Sequence, residues 1–114
     1  MQRLNVEYIR SDERGSLIQL SSGKWEQINY LILNKNKVLG GHYHKHKTEL
    51  FCVIKGIVNV AIYKTNKPSE IFDMKPYDCV LVEPYESHYF TGIEDSLIIE
   101  LLSKPYSKDD IWLK

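Results

Sequence analysis

Gly41-His42-Tyr43-His44-Lys45-His46-Lys47-Thr48-Glu49-Leu50-Phe51-Cys52-Val53-Ile54-Lys55-Gly56 carries three of the chain's four histidines, with a carboxylate close behind them. In an extended strand side chains repeat every second residue, so His42 and His44 leave the backbone on one face, roughly 6.5–7 Å apart at Cα. Two imidazoles at that spacing are able to grip one ion. Lys45 to Thr48 is polar and long enough to turn the chain, which lets Glu49 open a returning strand on the same side. Glu49, Phe51 and Val53 then share a face, and Gly56 closes the strand. His88, the fourth histidine, stands in a later strand after Pro84. His42, His44, Glu49 and His88 make a three-nitrogen, one-oxygen set, suited to one divalent ion such as Zn, Mn, Fe(II) or Ni. His46 keeps the alternation but falls where the turn begins, between Lys45 and Lys47, and is expected to be a solvated rim residue.

The spelling His-x-His-x4-Glu-x6-Gly, followed by Pro-x3-His in a later strand, resembles the cupin superfamily. The first motif occupies residues 41–56 and the second residues 84–92. The second departs from the family's Pro-x-Gly-x2-His: Pro84-Tyr85-Glu86-Ser87-His88 is one residue shorter and lacks the glycine. The resemblance implies a double-stranded β-helix, or jelly-roll barrel, and His42, His44, Glu49 and His88 as metal ligands.

Composition bounds the size of the fold and the kind of partner. A chain of 114 residues, 43% of them hydrophobic, has apolar material for one core, so a single domain over residues 1–114 is expected. Lysine plus arginine and aspartate plus glutamate both total 15, a balance that argues against a nucleic-acid partner, which needs a basic surface. Met1-Gln2-Arg3-Leu4-Asn5-Val6 lacks the apolar run of a signal peptide, and no segment approaches a membrane span of about 20 apolar residues. A cytoplasmic address is expected. Cys52 and Cys79 have no Cys-x-x-Cys partner and read as reduced core residues.

Along the chain, Ser11 to Gly15 is a polar turn before a short strand at Ser16 to Leu20. Trp25 to Leu33 is β-prone, and Asn34 to Lys37 forms a loop ahead of Val38-Leu39-Gly40-Gly41. Further strands are predicted at Ile57 to Tyr63, Ile71 to Met74, Val80 to Val82, His88 to Thr91 and Ser96 to Leu102, with Gly, Pro and Asn at the joints. Ile111 and Trp112 anchor a docked tail around a helical turn from Asp109. Short, evenly spaced strands without helical periodicity indicate an all-β sandwich or barrel, independently of the cupin motifs.

Asp12-x-Arg14-Gly15 ahead of Gly41-x-His-x-His resembles the sugar-modifying cupins: the dTDP-sugar 3,4-ketoisomerases and epimerases, and the metal-binding C-terminal cupin of capsule-synthesis reductases. The ketoisomerases use the His-x-His pair as acid and base without a metal, whereas Glu49 here occupies the cupin ligand position. Arg14 is a candidate handle for a nucleotide-sugar diphosphate, because its planar fork matches that group. Tyr30 and Tyr89 are candidates to stack a sugar or base. The resemblance implies an isomerase or epimerase of a sugar or nucleotide sugar, with His44 and Glu49 as catalytic groups and the metal polarising a keto oxygen. The alternatives are a metal-dependent sugar-binding protein without turnover and an Fe(II) dioxygenase. Exposed strand edges and an aromatic-rich surface predict a homodimer.

Overall fold

The computed structural model describes residues 1–113, and the architecture is two five-stranded antiparallel sheets packed face to face, with a separate hairpin. In chain order the strands are β1 (Gln2–Asn5), β2 (Tyr8–Asp12), β3 (Gly15–Gln19), β4 (Gln27–Leu33), β5 (Val38–Tyr43), β6 (Glu49–Lys55), β7 (Val58–Tyr63), β8 (Glu70–Met74), β9 (Asp78–Val82), β10 (Ser87–Gly92), β11 (Ser96–Leu102) and β12 (Trp112–Leu113). One sheet runs β1-β9-β6-β11-β4, the other β12-β5-β10-β7-β8, and β2 pairs only with β3. Three of these strands lie outside the sequence expectations: β1, β2, which begins well ahead of the polar turn, and β12 in the tail. The tail carries a 3-10 turn at Lys108–Asp110 instead of an α-helical one.

Alternation sets the core. Phe51 and Val53 on β6, Val58, Val60 and Ile62 on β7, Val80 and Val82 on β9, Phe90 on β10 and Ile98 on β11 all point between the sheets and are buried. Burying one such side chain contributes about 1.5–3 kcal/mol, and β-branched residues suit the pleated surface. The opposite face of the first sheet holds a second cluster, in which Leu50, Cys52, Cys79 and Leu101 are covered by Val6, Leu20 and Trp25. Cys52 and Cys79 are cross-strand partners there, free thiols with sulfurs 2.7 Å apart. The β2–β3 hairpin stands off the barrel, and most of its residues are exposed. No helix among the described residues is long and apolar enough to cross a membrane.

The pairing of β5 with β10 matters most for the site. Phe90 lies opposite Leu39, Tyr89 opposite Gly40 and His88 opposite His42, so Gly41 is an extra residue on β5, a β-bulge. Gly40 and Gly41 both have positive φ, +106° and +87°. A Cβ at Gly40 would collide with the His88 carbonyl oxygen. The bulge shifts the alternation by one residue, and His42 therefore faces inward with Leu39 instead of outward.

Candidate active site

The predicted residues His42, His44, Glu49 and His88 meet at one end of the space between the sheets. His42 and His88 descend from the second sheet as a cross-strand pair, with ring centroids 5.0 Å apart. His44 lies just past the end of β5, its ring 5.0 Å from that of His42. Glu49, the first residue of β6, comes from the opposing sheet and places Oε1 2.8 Å from His44 Nε2 and 4.0 Å from His88 Nε2. Phe51 and Phe90, with ring centroids 4.5 Å apart, pack beneath His88. A cavity of about 170 Å³ opens beside the cluster, lined by Leu31, Leu39, His42, Phe51, His88, Phe90 and Glu100. A larger cleft of about 390 Å³, walled by Lys64, Lys67, Glu70 and Glu86 among others, contains no imidazole.

Glu100 and Asn29 complete the polar end, and the sequence motifs point to neither. Glu100 lies opposite Asn29 on β4 and Phe51 on β6. Asn29 Nδ2 donates to Glu100 Oε1 at 2.8 Å, and the Glu100 carboxyl is hydrogen-bonded to Glu49. The signal that would have found it is a single carboxylate in the otherwise apolar run Leu97-Ile98-Ile99-Glu100-Leu101-Leu102.

Two carboxyls in contact cannot both ionise at low cost, and their environments part them. Burial, then Glu49, pushes the Glu100 pKa up to about 8, against the Asn29 hydrogen bond. Burial works the same way on Glu49, but the His44 contact, the Glu100 hydrogen bond and the charges of His88 and His44 outweigh it and bring that carboxyl down to about 2. Burial, opposed by Glu49, lowers His88 to about 4, and burial with the His44 charge lowers His42 as well. His44 moves the other way: burial pulls it down, but Glu49 and the Asp110 carbonyl together raise it. At neutral pH the site thus holds an ionised Glu49, a protonated Glu100 and neutral imidazoles at His42 and His88, while the Glu49 carboxylate favours the charged form of His44.

His44 is oriented through its other nitrogen. Nδ1 lies 2.5 Å from the Asp110 carbonyl oxygen, which only accepts, so Nδ1 carries the proton and Nε2 faces Glu49. The missing motif glycine also has a structural answer. Tyr85 occupies the left-handed region at φ +68°, unusual for an aromatic residue. It is held there by donation from its N–H to the His44 carbonyl at 2.7 Å and by stacking of its ring on Tyr43. Glu86 accepts from the Glu83 N–H and braces the same turn. The shortened second motif still delivers His88 into the barrel.

The three predicted substrate residues do not join this cluster. Arg14 is on the hairpin, 71% exposed at its side chain and paired with Asp12 at 2.7 Å. Tyr30 projects from the outer face of β4, 62% exposed, while Asn29 and Leu31 take the inner face. Tyr89 lies on the face of β10 opposite His88 and Phe90, edge-on to Tyr63 and over Gly41. In each case strand alternation or hairpin placement, which residue type does not report, sets where the side chain lies. His46 is exposed, as expected for a rim residue.

The donor types suit a divalent ion, and Glu49 Oε1 is a buried oxygen without a well-aligned hydrogen-bond donor. As arranged, however, no group of three His, Cys, Asp or Glu side chains among the described residues is set to hold one. His44 Nε2 sits against Glu49, and that contact has to part before the four residues surround an ion.

A jelly roll with an inward His-x-His pair, a carboxylate on the facing sheet and a histidine on β10, the strand beside β5, has the form of the cupin fold, and the solved structures agree. The chain superposes on the TDP-quinovose 3,4-ketoisomerase WlaRB from Campylobacter jejuni with a TM-score of 0.86 at 18% identity, covering 99% of this chain and 92% of that one. The sugar 3,4-ketoisomerase QdtA from Thermoanaerobacterium thermosaccharolyticum, solved with TDP, gives 0.84 at 17% identity over 96% and 85%. The dTDP-4-dehydrorhamnose 3,5-epimerase of Sulfolobus tokodaii gives 0.80 at 19% over 92% and 72%. No curated protein sequence matches the chain. Residues 10–104 match the family described as the polysaccharide biosynthesis C-terminal domain, and the chain belongs to that family.

Proposed function

We propose that the protein is an isomerase or epimerase acting on a nucleotide-linked keto sugar. The observation that carries this reading is the buried His44–Glu49–Glu100 array at the end of a cavity walled by His42 and His88. A carbon next to a keto group loses its proton to a base, and return of a proton to the same or the neighbouring carbon gives the epimer or the isomer. That chemistry needs a base, an acid and shelter from water. Once a substrate displaces the Glu49 contact, the neutral form of His44, protonated at Nδ1 alone, takes the proton at Nε2 and later returns it to carbon, with ionised Glu49 balancing the imidazolium charge in between. Neutral His42 and His88 stand within the same cavity to hydrogen-bond the keto and hydroxyl oxygens. By their names, two of the solved relatives act on dTDP- or TDP-linked sugars and the third is a sugar ketoisomerase solved with TDP, which supports the substrate class. A cytoplasmic address belongs to this reading, since nucleotide sugars are made there.

The test is incubation of the purified protein in D₂O with dTDP- and UDP-4-keto-6-deoxy sugars, followed by NMR. Deuterium at the carbon beside the carbonyl, or a shifted keto group, is expected and should vanish in His44→Asn. Binding of the nucleotide sugar without exchange would favour a binding protein, and neither binding nor exchange would remove the sugar reading.

A second reading keeps the same residues around a divalent ion. It is favoured by the unaligned Glu49 Oε1 facing the Nε2 atoms of His44 and His88. His42, His44, Glu49 and His88 would hold the ion, which would supply Lewis-acid polarisation of a keto oxygen. Elemental analysis of protein grown with Zn, Mn, Fe or Ni decides it.

The protein is further proposed to work as a homodimer. Ile28, Tyr30 and Ile32 form a row on the outer face of β4, each between 62% and 66% exposed, beside Leu97 and Ile99 of β11. A second copy is the occupant proposed for that face, with the projecting β2–β3 hairpin alongside.

A further inference from the structure

We propose that the segment after β11 is a clamp on the catalytic loop and that Asp110 is the positioning residue for His44. The inference deepens the isomerase reading and rests on it for its activity arm alone. His44 and Glu49 sit at the two ends of the loop 44–49, and the chain from 103 to 113 grips that loop at both ends. At the Glu49 end, Thr48 N–H donates to Ser103 Oγ at 2.9 Å and Ser103 N–H donates to the Thr48 carbonyl at 3.0 Å. At the His44 end, the Asp110 carboxylate accepts from the N–H groups of Lys45 at 2.8 Å and His46 at 3.2 Å. The Asp110 main-chain carbonyl takes His44 Nδ1–H.

One buried residue, 7% exposed, therefore fixes both the backbone beneath His44 and the rotation of its ring. The rest of the segment holds Asp110 in place. Ser107 Oγ caps the 3-10 turn by accepting from the Asp109 N–H. Beyond it β12 pairs with β5, Trp112 opposite Tyr43 and Leu113 opposite His42, and the Lys45 ammonium lies 3.5 Å over the Trp112 ring.

The consequence is chemical. A histidine whose Nδ1 proton is committed to a carbonyl presents only Nε2 to the cavity, whether Nε2 is to move a proton or to bind an ion. Without the clamp the ring is free to rotate and to exchange its two nitrogens, and Nε2 no longer stays on Glu49. A residue that acts in this way changes turnover more than substrate affinity.

The experiment compares the full chain with Asp110→Ala, and with Asp110→Asn and Trp112→Ala as milder variants should the first fail to fold. Folding is checked by cooperative thermal unfolding. The direct readout is the His44 Nδ1 proton in ¹⁵N-labelled protein, expected in the parent as a hydrogen-bonded resonance protected from exchange with water. In a folded clamp variant its exchange should quicken by about 10-fold or more, and kcat should fall by about 10-fold with KM changed by less than about two-fold. A role in stability alone would lower the unfolding temperature but leave the His44 proton protected. A folded Asp110→Ala or Asp110→Asn protein with that resonance still protected overturns the proposal. If the parent shows no isomerase or epimerase turnover, the function proposed above fails, while the proton-exchange arm still decides the clamp.

Discussion

Glu100 does not behave as an ordinary glutamate, and replacing it by glutamine isolates the reason. In the folded protein its carboxyl is raised to about 8, first by burial and then by Glu49; an unperturbed glutamate ionises near 4.5. A group whose pKa is higher in the folded state contributes stability that is complete below the unfolded value and is lost as pH rises through the folded one. For Glu100 the window runs from about 4.5 to about 8. Below 6.5 His88 works in the opposite sense, because its pKa is lowered to about 4 and it stays neutral where the unfolded chain would take a proton. The window free of that opposition is therefore 6.5 to 8. His44, raised above 6.5, has the same sign as Glu100 there and keeps some slope in both proteins.

One proton of difference is worth about 1.4 kcal/mol per pH unit, so Glu100 accounts for a loss of about 2 kcal/mol across this window, reduced toward about 1 kcal/mol by solvent at the cavity mouth. Glu100→Gln mimics the protonated acid, keeps an oxygen for Asn29, and cannot ionise. Urea unfolding of both proteins at the two ends of the window, with chelator present to keep them metal-free, should show the parent losing stability by that amount more than the variant. Parallel pH dependences in the two proteins would refute the protonated Glu100 and the carboxyl pair with it.

Glu49→Gln removes the only ionised carboxylate of the cluster, and turnover should fall by about 100-fold or more in steady-state assays, since the His44 imidazolium loses its counter-charge. If a divalent ion is bound, the same variant should retain less of it by elemental analysis, whereas His46→Ala at the exposed rim should retain as much as the parent. Gly40→Ala places a methyl group against the His88 carbonyl at a positive φ, and calorimetry should find it destabilised by about 3 kcal/mol or more, or unfolded. Tyr30→Glu on the outer face of β4 should convert a dimer to a monomer in sedimentation at micromolar concentration while leaving the fold intact, and a parent that sediments as a monomer removes the dimer.

What could be read in advance and what could not divides along one physical line. His42, His44 and Glu49 lie within eight consecutive positions, so strand periodicity and one turn were enough to aim them together. Glu100 and Asn29 join them only through the pairing of β11 with β4 and β6, across separations of 51 and 20 residues in sequence from Glu49, and periodicity within one strand carries no information about its neighbours. The glycines at 40 and 41 were visible as residues, but that one is the extra member of a bulge, and that the bulge is what turns His42 inward, depends on the register against β10. The outward direction of Tyr30 was hidden for a related reason. On β4 the inner set contains Leu31 and Leu33 and the outer set Ile28, Tyr30 and Ile32, so both faces are apolar and alternation cannot tell inside from outside. A strand apolar on both faces is ordinarily one covered on both. The exposure of this outer row is thus the physical ground for expecting a second copy of the chain against it.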